Sequence, residues 1–286
     1  MKSRRFRLLA AAGLTVAGLA FVAGAGAQPS RGGAPVAPAS AARAVPAAPE
    51  LEAKAMDLLR GMSGALTAPS SLSFKAVATY ESPTSVGPPL TFATISDVLV
   101  QRPDKLRVIT SGDGKASEYY YDGKTFTAFA PSENLVAVAP APPTLDAALE
   151  EAFKNAGIYF PFADVLGADP LRNLTEGLTK AFYVGDSVAV GGTRTDVVAV
   201  VSDEVFMQIW IGADDKLPRR LRATYRGDPL LLRHQVDLSD WKLDPVVAAE
   251  AFASVNAGNA RKIAFAAPRG PAAAARTRSS KPGKAP

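Results

Sequence analysis

Apolar residues along this chain recur at two spacings, and the changes between them mark out the domain. Over Leu72 to Tyr80 and Leu90 to Val100 they alternate with polar residues, as in strands with one buried face. The alternation returns at Leu106, Val108 and Thr110, around Tyr119 to Phe129, and at Leu135 to Ala139. Ahead of these runs, Leu51, Ala55, Leu58, Leu59, Met62 and Leu66 fall at helical spacing, which predicts a helix starting at Pro49 and ending at Gly64 to Pro69. Thr144 can cap a second helix bearing Leu145, Ala148, Leu149, Ala152 and Phe153 that stops before Gly157, and Asp169-Pro170 opens a short third. Five further strands follow, near Lys180 to Val188, Thr193 to Val201, Val205 to Ile211, Leu217 to Tyr225 and Leu230 to Ser239. Turns at Gly191-Gly192, Asp203-Glu204, Asp214-Asp215 and Gly227-Asp228-Pro229 separate them. The expected fold is mainly β: about eleven antiparallel strands, an N-terminal helix and a helical insertion.

Asp122-Gly123 is the strongest hairpin signal in the chain, since a type I′ turn requires positive φ at both central residues. With that turn, Tyr121 pairs with Lys124 and Tyr119 with Phe126. Tyr119, Tyr121 and Phe126 then share an apolar face, while Glu118, Thr125 and Thr127 share a polar, solvated one.

The ends differ from the body. Lys2, Arg4, Arg5 and Arg7 precede an apolar run from Leu8 to Val22 and then Ala25-Gly26-Ala27, the layout of an export signal cleaved between Ala27 and Gln28. The expected segments are a signal at 1–27, a Pro/Ala-rich linker at 28–48, one domain at 49–265 and a basic tail at 266–286. Ser3-Arg4-Arg5-Phe6 partly matches a twin-arginine signal, and the general export route is the other option. The formal charge of the chain is +5. That excess sits in the signal and in Arg269, Arg276, Arg278, Lys281 and Lys284, so the body is net acidic and nucleic-acid binding is not expected of it. The chain has no cysteine, which excludes disulfides and thiol catalysis. A periplasmic protein without a membrane-spanning segment after cleavage is the resulting expectation.

Catalytic chemistry has few candidates. His234 is the single histidine and shares strand alternation with Leu230, Leu232, Val236 and Leu238, so it reads as an inward packing residue. Multi-histidine metal sites are excluded, and no phosphate loop, dinucleotide fingerprint or nucleophile elbow is present. No catalytic residue, metal or cofactor is expected.

Several short motifs follow one another in a specific order: Arg102-Pro103-Asp104-Lys105-Leu106-Arg107, Tyr121-Asp122-Gly123-Lys124, Phe160-Pro161-Phe162-Ala163 within Ile158 to Leu166, Gln208-Ile209-Trp210-Ile211, Leu217-Pro218-Arg219, and Trp241 followed by Phe252. Over about Leu51 to Ile263 they resemble the DUF2092 family of predicted periplasmic proteins, itself similar to the LolA and LolB lipoprotein carriers. The resemblance implies an incomplete antiparallel β-barrel with a helical lid over an apolar hollow. It also implies that the hollow holds a lipid or the acyl chains of a lipoprotein, a role in outer membrane biogenesis. Strand alternation places Phe74, Phe92, Tyr119, Tyr121, Phe126, Met207, Ile209, Leu221 and Leu232 along that face. Met207 stands where an aromatic is expected. Arg102 matches the carriers' arginine that latches the lid, and local pairing with Asp97 or Asp104 is the alternative. The same fold also serves an envelope-stress regulator that binds a protein partner, and a cofactor-independent enzyme, so these remain alternative readings.

Overall fold

The computed structural model describes residues 50–267. The signal with its Ala27/Gln28 cleavage point, the linker, Pro49 and the tail beyond Ala267 lie outside the described residues. The strands are β1 (Glu50–Leu51), β2 (Ser71–Ser82), β3 (Leu90–Gln101), β4 (Lys105–Gly112), β5 (Ser117–Tyr121), β6 (Thr125–Ala130), β7 (Leu135–Pro140), β8 (Leu178–Val190), β9 (Thr193–Ser202), β10 (Val205–Gly212), β11 (Pro218–Tyr225), β12 (Arg233–Leu243) and β13 (Arg261–Ile263). They form one open sheet in the order β1-β8-β9-β10-β11-β12-β2-β3-β4-β5-β6-β7-β13. The eleven long strands are all antiparallel, as expected. The two extra ones are short pieces laid parallel on the edges, β1 along β8 and β13 along β7. Periodicity cannot register strands of two or three residues.

The helices are α1 (Ala53–Thr67), α2 (Leu145–Ala156), α3 (Ala163–Leu166) and α4 (Pro170–Thr175). Thr144 caps α2 by accepting from the Ala147 amide, and Gly157 closes it at φ +67°, a left-handed position that glycine adopts without strain. Asp169 caps α4 through the Arg172 amide. The expected helix start is corrected: Leu51 belongs to β1 and is exposed, and α1 begins at Ala53. Leu51 fits the helical spacing by chance, because the amide of Glu52 donates to Ala181 O and so continues the edge pairing instead. Ala55, Leu59, Met62 and Leu66 form the buried stripe of α1, which packs against β8 and β9 and against α3 and α4.

The hairpin register is also corrected. Tyr121 pairs with Phe126 and Tyr119 with Ala128, two residues away from the type I′ register. The side chain of Asp122 sets this longer turn by accepting from the amides of Lys124 and Thr125. A shift of two preserves side-chain direction, so Tyr119, Tyr121 and Phe126 still share one face. The two-residue geometry occurs instead at Gly191-Gly192, where Val190 pairs with Thr193 and both glycines have positive φ. The opposite face of the hairpin is less wet than expected. Phe252 is buried in the chain segment that follows β12, which touches β4, and Leu99, Tyr120 and Phe129 are buried with it on the convex side. Ser254 and Tyr120 both donate to Glu118 there. The last expected strand starts later, at Arg233, because Asp228 accepts from the amides of Leu230 and Leu232 and holds them in a turn. Leu230 is exposed in consequence.

Candidate functional site

Cross-strand register carries one face continuously around the sheet. Phe126 lies beside Tyr121, Tyr121 beside Leu106, Leu106 beside Val100, and Val100 beside Leu72. On the other side of β2, Ala78 lies beside Val236, Val236 beside Leu221, Leu221 beside Ile209, and Ile209 beside Val198. All these side chains belong to the main core, under the helices, and they define the concave face. Phe74, Tyr119, Tyr121, Phe126, Met207, Ile209 and Leu221 are buried on it, while Phe92 and Leu232 are half-buried at its rim. Phe92 stacks on Tyr80 at 5.7 Å. Met207 sits between Val200 and Ala223, a narrow place that an unbranched thioether fills easily. His234 faces the same side beside Ala223 and Tyr80, with its ring edge-on to Tyr225 at 5.2 Å; burial lowers its pKa.

The insertion between β7 and β8 covers this face. The loop after α2 drops Phe160 onto Tyr119 at 5.2 Å and Phe162 onto Phe74 at 5.5 Å, with the two inserted rings 5.7 Å apart. The hollow is therefore filled by its own lid, and the two phenylalanines of the Phe-Pro-Phe motif are the filling. Alternation inside a loop was the one signal of this in the sequence. Tyr119 gains no partner for its buried hydroxyl among the described residues, and burial raises its pKa strongly. Tyr121 donates to Pro142 O at 2.6 Å, which ties the floor to the chain entering α2; burial pushes its phenol up to about 12.

Arg102, at the turn between β3 and β4, reaches the helix ends. Its Nη1 donates to Leu166 O and Gly167 O, both at 3.1 Å, and its Nη2 to Leu66 O at 3.0 Å. One guanidinium thus binds the C-terminal carbonyls of α1 and α3, where the helix dipoles favour a cation. The local alternatives are taken: Asp97 pairs with Lys75 and Asp104 with Lys105. Burial lowers the pKa of Arg102, and the charge of Asp146 partly restores it. Asp146, in the first turn of α2, also accepts from the Ala168 amide at 3.0 Å, so the turn after α3 is gripped from two sides. Nε of Arg102 is buried without a partner among the described residues.

Asp164 in α3 was not singled out from the sequence, because one acid in a four-residue helix has no pattern. It retains some accessible surface, yet the surrounding protein pushes its carboxyl up to about 6 through desolvation alone. Its charge reaches Tyr159 and Tyr225, whose phenols burial raises further.

The DUF2092 family, described as predicted periplasmic proteins, matches residues 55–266. The chain belongs to this family. Among solved structures, it is similar to a domain described as an outer membrane lipoprotein-sorting protein from Vibrio parahaemolyticus, at 10% identity and a TM-score of 0.35, covering 70% of this chain and 96% of that one. It is also similar to a chain of the Pseudomonas aeruginosa MucA/MucB complex, at 16% identity and 0.41, covering 74% and 64%. A LolA superfamily protein from Nitrosomonas europaea matches at 13% and 0.31, covering 70% and 97%. The DUF2092 chain thus spans less than two thirds of the MucA/MucB chain. No curated protein matches it in sequence. Its family is a periplasmic one, and no described helix is long and apolar enough to cross a membrane.

Proposed function

We propose that this DUF2092 protein is a non-catalytic periplasmic module that binds a lipid or an acylated ligand, in order to carry it or to sense it. The acyl chains lie on the concave face in place of Phe160 and Phe162, and Arg102 is the latch that holds the lid shut. The bond of Arg102 to three helix-end carbonyls is the observation that carries this reading. A core closed for good gains more from apolar packing than from a desolvated guanidinium with an unpaired Nε. The two hydrogen bonds to the end of α3, by contrast, break together when that helix moves, while the bond to Leu66 O of α1 keeps the guanidinium in place. Each phenylalanine that leaves the floor gives up roughly 1.5–3 kcal/mol of burial, and an acyl chain restores about 0.8 kcal/mol per buried methylene, so a chain of several carbons offsets the loss. In this reading His234, whose ring packs edge-on to Tyr225, is a packing residue.

Native mass spectrometry of protein released from its own envelope tests the reading. The expected spectrum carries added masses that match acyl lipids or an acylated peptide. A bare chain that also fails to take up 11-(dansylamino)undecanoate would overturn it.

A further inference from the structure

The C-terminal strap from Arg261 to Ala267 covers a part of the floor that the helical lid does not. Its amide at Arg261 donates to Asn134 O at 2.9 Å, and β13 then runs three residues beside Leu135, Val136 and Ala137 of β7. All three β13 residues are exposed, Ile263 by 46%. Beyond them Phe265 turns inward and stacks on Phe126, with centroids 5.2 Å apart and planes 11° from parallel. The strap ends at Ala267, whose amide donates to Asn155 O at the end of α2, at 2.7 Å.

Phe126 is fully buried although it lies on the next-to-last strand pair of an open sheet. Phe265 is its stacked cover. Tyr119, under Phe160, is 5.9 Å away from Phe126, so the lid ring and the strap ring cap adjacent aromatics of one floor. Their fastenings differ. The lid hangs on Arg102, while the strap hangs on a short parallel pairing, one ring and one hydrogen bond. An exposed segment with so few buried contacts opens at lower free energy than the sheet beneath it.

We propose that Phe265 is a second gate of the hollow: it occupies the place over Phe126 that the end of an acyl chain takes, and it is released separately from the Arg102 latch. This rests on the reading of the hollow as an acyl site. In that reading the strap is a built-in competitor, fastened at Ala267 to the end of α2 and not to Arg102.

Titration with 11-(dansylamino)undecanoate tests the gate on the full chain carrying Phe265→Ala, on a chain stopped after Ala260, and on a chain stopped after Ala267 that loses the basic tail alone. The expected result is a Kd at least tenfold lower for Phe265→Ala and for the Ala260 stop, with the Ala267 stop like the wild type. Arg102→Leu combined with Phe265→Ala should multiply the two single effects, as independent closures do. Should the Ala260 chain fail to fold, the point variant decides. A wild type that binds while Phe265→Ala stays within twofold of it, or binds more weakly, overturns the gate and leaves the acyl site standing. If no chain binds the probe, site and gate fall together.

Discussion

Gly123 stands at φ +94°, in the turn that fixes the floor aromatics, and a Cβ there would come 2.5 Å from Oδ2 of Asp104. The carboxylate is the mobile end of a side chain and can move aside, but a β-branched residue cannot relax the backbone. Gly123→Val is therefore expected to cost about 1–3 kcal/mol, read as a lower urea midpoint with an unchanged slope. An unaltered midpoint would place the strain elsewhere. Asp164 makes a pH-dependent prediction. Burial raises its folded pKa from 3.8 to about 6, so its carboxyl ionises in the unfolded chain first. Its contribution to stability is then full below pH 3.8 and falls as pH rises through 6. Asp164→Asn removes that loss: the variant should match the wild type near pH 4 and exceed it by up to about 3 kcal/mol at pH 8. A difference that does not grow with pH would mean that the carboxyl is not enclosed. Residues of this kind are the least readable from sequence. Arg102 could be placed through its Arg-Pro motif, whereas Asp164 and Phe265 acquire their surroundings only from elements far along the chain.

Elements were more readable than their joints. All eleven long strands followed from alternation with a period of two, and α2 and α4 followed from Thr144, Gly157 and Asp169-Pro170, because caps are local chemistry. The errors arose where tertiary contacts choose between local options. Edge pairing took Leu51 from α1, and the Asp122 side chain moved the hairpin register by two. The nine concave-face residues were placed on one face because alternation survives such a shift, but the alternation of Phe160 and Phe162 in a loop does not say which face they fill. The lid itself makes the prediction at this scale. Arg102→Leu should keep the sheet intact while amide exchange in Ala163 to Thr175 and at the end of α1 rises more than tenfold, since three charge-assisted bonds at the helix ends are lost. Exchange unchanged there, with a cooperative fold retained, would show that Arg102 does not hold the lid.

For the whole molecule, the open sheet has two unlike sides. The convex side is closed over β4 and β5 by the segment around Phe252, and elsewhere it carries cross-strand ion pairs such as Arg220 with Asp237 and Lys75 with Asp97. The concave side is an aromatic and aliphatic floor capped by rings from the lid and from the strap. His234→Gln should leave ligand binding within a few-fold of the wild type, measured by the same dansyl titration, because its ring packs at the rim. A hundredfold loss would give the histidine a direct role. The most direct measurement of the central claim is photo-crosslinking with a diazirine-bearing palmitoyl chain, followed by peptide mapping. The account predicts adducts concentrated on Tyr119 to Phe126, on Met207 to Leu221, and on the Phe160 to Phe162 loop. Adducts confined to exposed sites such as Leu230, Leu231 and Val246, with the concave peptides unlabelled, would contradict it.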